Sequence, residues 1–215
     1  MNHWHDKISW LVKRWWFWTF FCLFFFAYPI ARSLDRTLPP ELPVLFELPH
    51  YQLVDENNEN FDSQSLEGRV VLYHFHFLSC PSICPELMEL MQKIQKRVRG
   101  IGQEIALISI SVDPEEDTPQ KLFKKARQLK ANPYIWKFLT GAQQDIEQLV
   151  TEGFMSTLSE KEQISDSLYD IVHSGQIFLV DQEHRVRALF ATDEHSINQL
   201  MIEIGLLVNR YQNKI

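Results

Sequence analysis

Residues 69–99 read RVVLYHFHFLSCPSICPELMELMQKIQKRVR. The first nine residues of this stretch, 69–77, are mostly β-branched or aromatic, which predicts a buried strand. Further on, apolar side chains recur at helical spacing, at Leu87, Leu90, Met91, Ile94 and Val98. The stretch therefore predicts a strand, a loop that carries two cysteines, and an amphipathic helix.

The flanking segments continue the alternation of strands and helices. Residues 105–112 (IALISISV) predict a second buried strand, and Thr118-Pro119 fits the N-cap and first position of a helix. The remaining predicted elements are a hairpin around residues 55–60, a helix over 142–151, a strand pair over 177–180 and 185–190, and a helix over 196–210. This order predicts an α/β fold, with a central β-sheet and flanking helices on both faces.

Composition excludes several functional classes. The chain has 215 residues, of which 45% are hydrophobic, and a formal net charge of −7. A chain with this apolar fraction is not expected to be disordered. Its acidic charge also argues against nucleic-acid binding, which requires basic side chains that neutralise phosphates. The charge is unevenly distributed along the chain. Residues 1–36 carry five basic and two acidic side chains, whereas the rest of the chain carries 16 basic and 26 acidic side chains.

The N-terminal segment predicts a membrane anchor. Residues 15–31 (WWFWTFFCLFFFAYPIA) contain no charge, and a helix of this length spans roughly 26 Å of a hydrocarbon core about 30 Å thick. The basic residues that precede it favour an orientation with the N-terminus inside. A cleaved signal peptide is the alternative, with small residues near Ala31. Cys22 lies in this run and is interpreted as an apolar filler.

These features divide the chain into four predicted parts. Residues 1–14 form a cytoplasmic N-terminus, 15–31 a single transmembrane anchor, 32–45 a proline-rich tether, and 46–215 the folded domain. The expected location is the inner (cytoplasmic) membrane, with the domain in the periplasm.

Cys80 and Cys84 are the candidate reactive pair. Residues four apart on a helix lie on the same face, with Cα atoms about 6 Å apart, which suits either a disulfide or two thiolates on one metal. A disulfide staple that closes so short a loop stabilises little. The pair alone leaves redox and metal chemistry open. Two thiolates and one imidazole would suit copper, and His173, before a predicted strand, is a candidate third ligand.

Three motifs in order resemble the Sco/SenC family: SCPSICP after one strand, VDPEEDTP after the next, and a histidine before IFLVD. The resemblance covers roughly residues 46–210. It implies a membrane-tethered, thioredoxin-like domain in which Cys80, Cys84 and His173 bind one copper ion, as Cu(I) or Cu(II). It further implies that copper is delivered to the dinuclear centre of cytochrome c oxidase subunit II, or to another copper acceptor.

The resemblance also implies a second function, in which Cys80 and Cys84 act as a catalytic redox pair that reduces the acceptor's disulfide. Either function requires a thiol reductant that keeps the pair reduced in an oxidising compartment. Whether the protein is an enzyme is therefore open, and a sensor would differ only in its partner. A peroxidase is disfavoured, because Phe77 stands where that chemistry needs threonine.

Two departures from the family pattern concern histidines and their partners. Val172 stands where an aspartate commonly precedes the distal histidine, and Asp170 is the nearest acid that could orient the imidazole. His74 and His76 lie on the strand that leads to the cysteines. His74 is assigned to the core, whereas His76 is either packed there or leans toward the site as a ligand or proton donor.

The other candidates are interpreted as structural. Asp113 and Thr118 are expected to end a strand and cap a helix, and Asp117 to support that cap. Met88 and Met91 are expected in the core. Three further histidines, His50, His184 and His195, are expected in surface turns.

Overall fold

The structure is a computed structural model that describes residues 14–34, 39–80, 84–159, 162–165, 168–171 and 175–212. The chain divides into two compact units, Met1–Glu41 and Leu42–Ile215. The predicted copper ligand His173 lies outside the described residues, as does Val172.

The first unit is helical over most of its described length. An α-helix, α1 (Trp15–Cys22), leads into a π-helical stretch (Leu23–Ala27) and a second α-helix, α2 (Tyr28–Leu34). Most of its aromatic rings are exposed. Among the described residues no helix is both long enough and apolar enough to cross a membrane, so the single spanning helix expected over 15–31 is not found.

The second unit is built on an eight-stranded sheet with the order β1-β10-β9-β4-β5-β6-β2-β3. Its strands are β1 (Phe46–Glu47), β2 (Gln52–Asp55), β3 (Asn60–Asp62), β4 (Val70–His76), β5 (Ile105–Ser111), β6 (Trp136–Thr140), β9 (Ile177–Val180) and β10 (Arg185–Phe190). A separate hairpin pairs β7 (Glu162–Ser165) with β8 (Leu168–Asp170). The central strands β4, β5 and β6 run parallel, and the other pairs are antiparallel.

Four helices flank this sheet: α3 (Cys84–Arg97), α4 (Pro119–Gln128), α5 (Gln143–Gln148) and α6 (Glu194–Gln212). Successive side chains of β4 alternate between two buried clusters. One cluster contains Ile146 from α5, and the other contains apolar residues of α3, α4 and α6. Helices therefore cover both faces, and the predicted α/β fold is confirmed.

Most predicted elements form where expected, but β1, β6 and the β7–β8 hairpin were missed. Strand β6 has the sequence WKFLT, in which Lys137 interrupts an apolar run. That lysine is stabilised from a distant part of the chain, because its Nζ lies 2.8 Å from Oδ2 of Asp55 on β2. Local periodicity could not reveal such a long-range partner.

His184 lies in a turn, as expected, but the expectation that its side chain is exposed at the surface is wrong. It ends the β9–β10 turn at a φ of 60°, yet only 5% of it is exposed. Its ring centroid lies 5.3 Å from that of His50. Burial, followed by repulsion from His50, lowers the pKa of His184.

We predict that acid destabilises the domain through His184. Because the folded-state pKa is below that of the unfolded chain, stability is full above about pH 6.5 and falls as the pH drops below it. His184→Asn removes this titration and tolerates a positive φ. Between pH 8 and 5 the melting temperature of the wild type should therefore fall more steeply than that of the variant. An unchanged difference across this range would contradict the assignment.

Candidate metal centre

The two candidate cysteines lie between the carboxyl end of β4 and the start of α3. The backbone N–H of Cys80 donates to the carbonyl of Phe77, at 3.3 Å. Cys80 is only 7% exposed and belongs to a buried cluster. Cys84 is the first residue of α3, so its backbone lies at the amino-terminal, positive end of a helix dipole.

The predicted distal ligand, His173, lies outside the described residues, but residues on either side of it are described. Ile171, two residues earlier, is buried in the same apolar cluster as Cys80. Two residues after His173, Gly175 resumes the described chain and leads into β9. The backbone of β8 includes Asp170, the proposed orienting acid. Ile171 is thus the described residue nearest to His173 on its amino-terminal side, and it packs in the apolar cluster that also contains Cys80.

A cavity of about 780 Å³ opens at the carboxyl end of β5. Val112 and Asp113, which follow β5, line it together with Ile171. Glu115, Glu147 and Glu152 also line it, so its wall is acidic. The cavity borders the loop that leads toward His173.

The second motif, VDPEEDTP, places the buried carboxylate of Asp117 next to the cysteine loop, which is the segment 77–83 between β4 and α3. Asp117 is 1% exposed. Its Oδ2 accepts hydrogen bonds from the backbone N–H of Leu78, at 2.9 Å, and from the hydroxyl of Ser111, at 2.7 Å. Burial raises the pKa of this carboxyl to about 6, although both hydrogen bonds oppose the shift.

Asp117 does not support the helix cap, so that prediction is wrong. Thr118 caps α4 itself, because its hydroxyl oxygen accepts from the backbone N–H of Lys121, at 3.4 Å, and Pro119 follows at the first helical position. Asp113 lies two residues beyond the end of β5, which ends at Ser111 rather than Val112, and its carbonyl accepts the N–H of Asp117, at 2.8 Å. Asp117 instead joins the end of β5 to the start of the cysteine loop.

His74 and His76 are both buried, on the face of β4 that packs toward α3 and α4. The Nε2 atom of His74 lies 2.6 Å from the hydroxyl of Ser109 on β5, which also accepts from the indole N–H of Trp136, at 2.8 Å. His76 packs edge-on against Phe138, with ring centroids 6.0 Å apart. The assignment of His74 to the core is confirmed, and His76 is likewise packed.

Met88 and Met91 are buried in the apolar cluster beneath α3, so their assignment to the core is confirmed. Across the parts of the chain with described side chains, no three His, Cys, Asp or Glu residues are placed to hold a metal. Those parts exclude the side chain of Cys84 and all of His173.

Comparisons with known proteins agree with this architecture. The SCO1/SenC family model matches residues 45–208. The SCO1 protein homolog of Bacillus subtilis (strain 168) is 30% identical over 145 residues, which cover 67% of this chain and 73% of the relative.

Two solved structures have the same fold. The copper-bound crystal structure of Arabidopsis thaliana ScoI has a TM-score of 0.64 and 25% identity, covering 76% of this chain and 99% of that one. BsSco, a Sco-family cytochrome c oxidase assembly protein with a disulfide switch, has a TM-score of 0.65 and 26% identity, covering 78% and 99%.

The fold is a helix-covered mixed sheet with a cysteine loop after a central parallel strand, and the family match spans nearly all of it. The chain therefore belongs to the SCO1/SenC family.

Proposed function

We propose that this chain binds copper through Cys80, Cys84 and His173 and serves in the assembly of cytochrome c oxidase. The observation that carries the proposal is that Cys80, which follows the central strand β4, and Ile171, two residues before His173, belong to the same buried apolar cluster on one face of the sheet. Copper in the Arabidopsis relative supports the choice of metal.

The donor set fits copper chemically. Thiolates are soft ligands that select Cu(I), and an imidazole binds either oxidation state. Metal binding requires both cysteines in the thiolate form. The cysteines must be reduced before they can take up the metal.

We propose that the acceptor is the dinuclear copper centre of cytochrome c oxidase subunit II. Transfer would proceed by ligand exchange, in which acceptor ligands replace Cys80, Cys84 and His173 one at a time. The test mixes one equivalent of the full chain loaded with Cu(I) and one equivalent loaded with Cu(II) with the reduced, copper-free soluble domain of subunit II, so that both copper ions and both oxidation states of the dinuclear centre are supplied. Appearance of the purple absorption of the dinuclear centre supports delivery, and its absence with copper retained on the donor contradicts it.

Reduction of the acceptor disulfide is the second candidate function, favoured by the disulfide switch in BsSco. One thiolate would attack the acceptor disulfide, the acceptor would leave as a dithiol, and the pair would end as the Cys80–Cys84 disulfide. The low exposure of Cys80 argues against it as a readily accessible attacking thiol. Copper-free reduced chain that converts the acceptor to its dithiol, without any copper transfer, would favour this function.

We also propose the membrane placement from the sequence, with residues 15–31 as the anchor and residues 46–215 in the periplasm. The absence of charge over residues 15–31 and the basic residues before them support it. In bacterial cells, the intact chain should fractionate with the membrane. A membrane-impermeant protease added to spheroplasts should then digest the folded domain. A protected domain, or one released with the soluble fraction, would contradict this placement.

A further inference from the structure

The loop before Cys80 is fastened to the neighbouring strand by one carboxylate. Leu78 lies two residues after the end of β4 and two before Cys80, and its N–H points to Oδ2 of Asp117, at 2.9 Å. The same oxygen accepts from Ser111, the last residue of β5, at 2.7 Å. One buried atom thus bonds both to the cysteine loop and to the end of the adjacent parallel strand.

Local structure gives no reason for a charged group at this position. Thr118 caps α4 without help from Asp117. Lys121 is the lysine whose positive charge favours the ionised form of Asp117, but its Nζ pairs with Oε2 of Glu116, at 3.1 Å. Asp113 repels the Asp117 carboxylate. Burying a carboxylate costs free energy that hydrogen bonds repay only in part.

We infer that Asp117 is a positioning residue for the cysteine pair. It holds the backbone before Cys80 in place, so that the sulfur of Cys80 can approach the sulfur of Cys84. This inference rests on the proposed function of the pair. A disulfide needs the two sulfurs about 2.05 Å apart, whereas two thiolates on one metal lie farther apart. A fixed backbone on the Cys80 side lowers the conformational entropy lost when the sulfurs converge in either state.

Asp117→Asn tests the inference in the full chain, purified in detergent. The amide keeps the shape but weakens an acceptor that now serves two donors without a charge. We expect Cu(I) affinity to fall by about 10–100-fold, the range typical when a group that orients metal ligands is lost. The Leu78 amide should exchange its hydrogen faster.

Thr118→Ala is the matched control, because it removes a cap from the same loop and does not touch Leu78. It should lower the melting temperature, because a helix cap is lost, and leave Cu(I) affinity within about twofold, well short of the loss typical for orienting groups. Ser111→Ala is a milder second variant if Asp117→Asn does not fold, and an intermediate loss of affinity is expected. Equal losses in Thr118→Ala and Asp117→Asn would overturn the inference.

A copper-independent measurement separates this inference from the proposed function. In a glutathione redox buffer, the two thiols of the pair give two electrons and two protons to one oxidised glutathione, which leaves as two reduced molecules. The equilibrium constant for closing the Cys80–Cys84 disulfide should fall at least tenfold in Asp117→Asn. An unchanged constant overturns the inference, whereas a wild-type chain that binds no copper overturns only the proposed metal function.

Discussion

We expect the replacement of both Cys80 and Cys84 by serine to lower the affinity of the chain for Cu(I) by far more than about 100-fold, which is the upper range for losing only a group that orients the ligands. Serine hydroxyls are hard, weakly acidic donors and cannot replace soft thiolates on Cu(I). The remaining imidazole of His173 would hold the metal alone. Anaerobic competition against a Cu(I) chelator measures the change.

Cys22→Ser is the matched control for this experiment, because Cys22 lies in the N-terminal unit and is exposed in α1. This variant should bind Cu(I) as tightly as the wild type. A double variant that retains wild-type affinity, or a Cys22→Ser variant that loses as much affinity as the double variant, would contradict copper binding by Cys80 and Cys84.

Asp181→Ala should lower the free energy of unfolding by about 3–5 kcal/mol, the range for breaking a buried ion pair from one side. Oδ2 of Asp181 lies 2.9 Å from Nη1 of Arg187, and both side chains are at most 4% exposed. Arg185 adds a second guanidinium, with its Nε 2.9 Å from the same oxygen. The substitution therefore leaves a buried cation next to an empty space.

Urea unfolding followed by far-ultraviolet circular dichroism measures this loss. Glu116→Gln is the control, because its ion pair with Lys121 is about half exposed and such pairs contribute about 0–1 kcal/mol. If the two substitutions cost the same, the buried ion pairs of Asp181 do not stabilise the fold.

The sequence predicted the fold well where the hydrophobic pattern was uninterrupted. The run at 69–77 became β4, and the strand pair formed at Ile177–Val180 and Arg185–Phe190 as expected. Such patterns are local and need no knowledge of distant contacts. Strand β6 was missed because Lys137 breaks its apolar run, and its ion pair with Asp55 joins residues 82 positions apart.

The same distinction applies to the site. The two cysteines and their position between a strand and a helix follow from local sequence. The contact of Asp117 with Leu78 could not be predicted, because these residues are 39 positions apart and are brought together by the pairing of β4 with β5. The alternation of polar residues at Ser109 and Ser111 within an otherwise apolar strand was the available signal of a buried polar network.

The ligand set itself is tested most directly by X-ray absorption at the copper edge. The full chain would be loaded anaerobically with Cu(I) and freed of unbound metal, and His173→Ala would be treated in the same way. We expect one copper per chain, with two sulfur neighbours and one nitrogen neighbour. In His173→Ala the nitrogen neighbour should be lost and the two sulfur neighbours should remain. Retained copper without sulfur neighbours, or no retained copper at all, would contradict the claim that Cys80, Cys84 and His173 form a copper site.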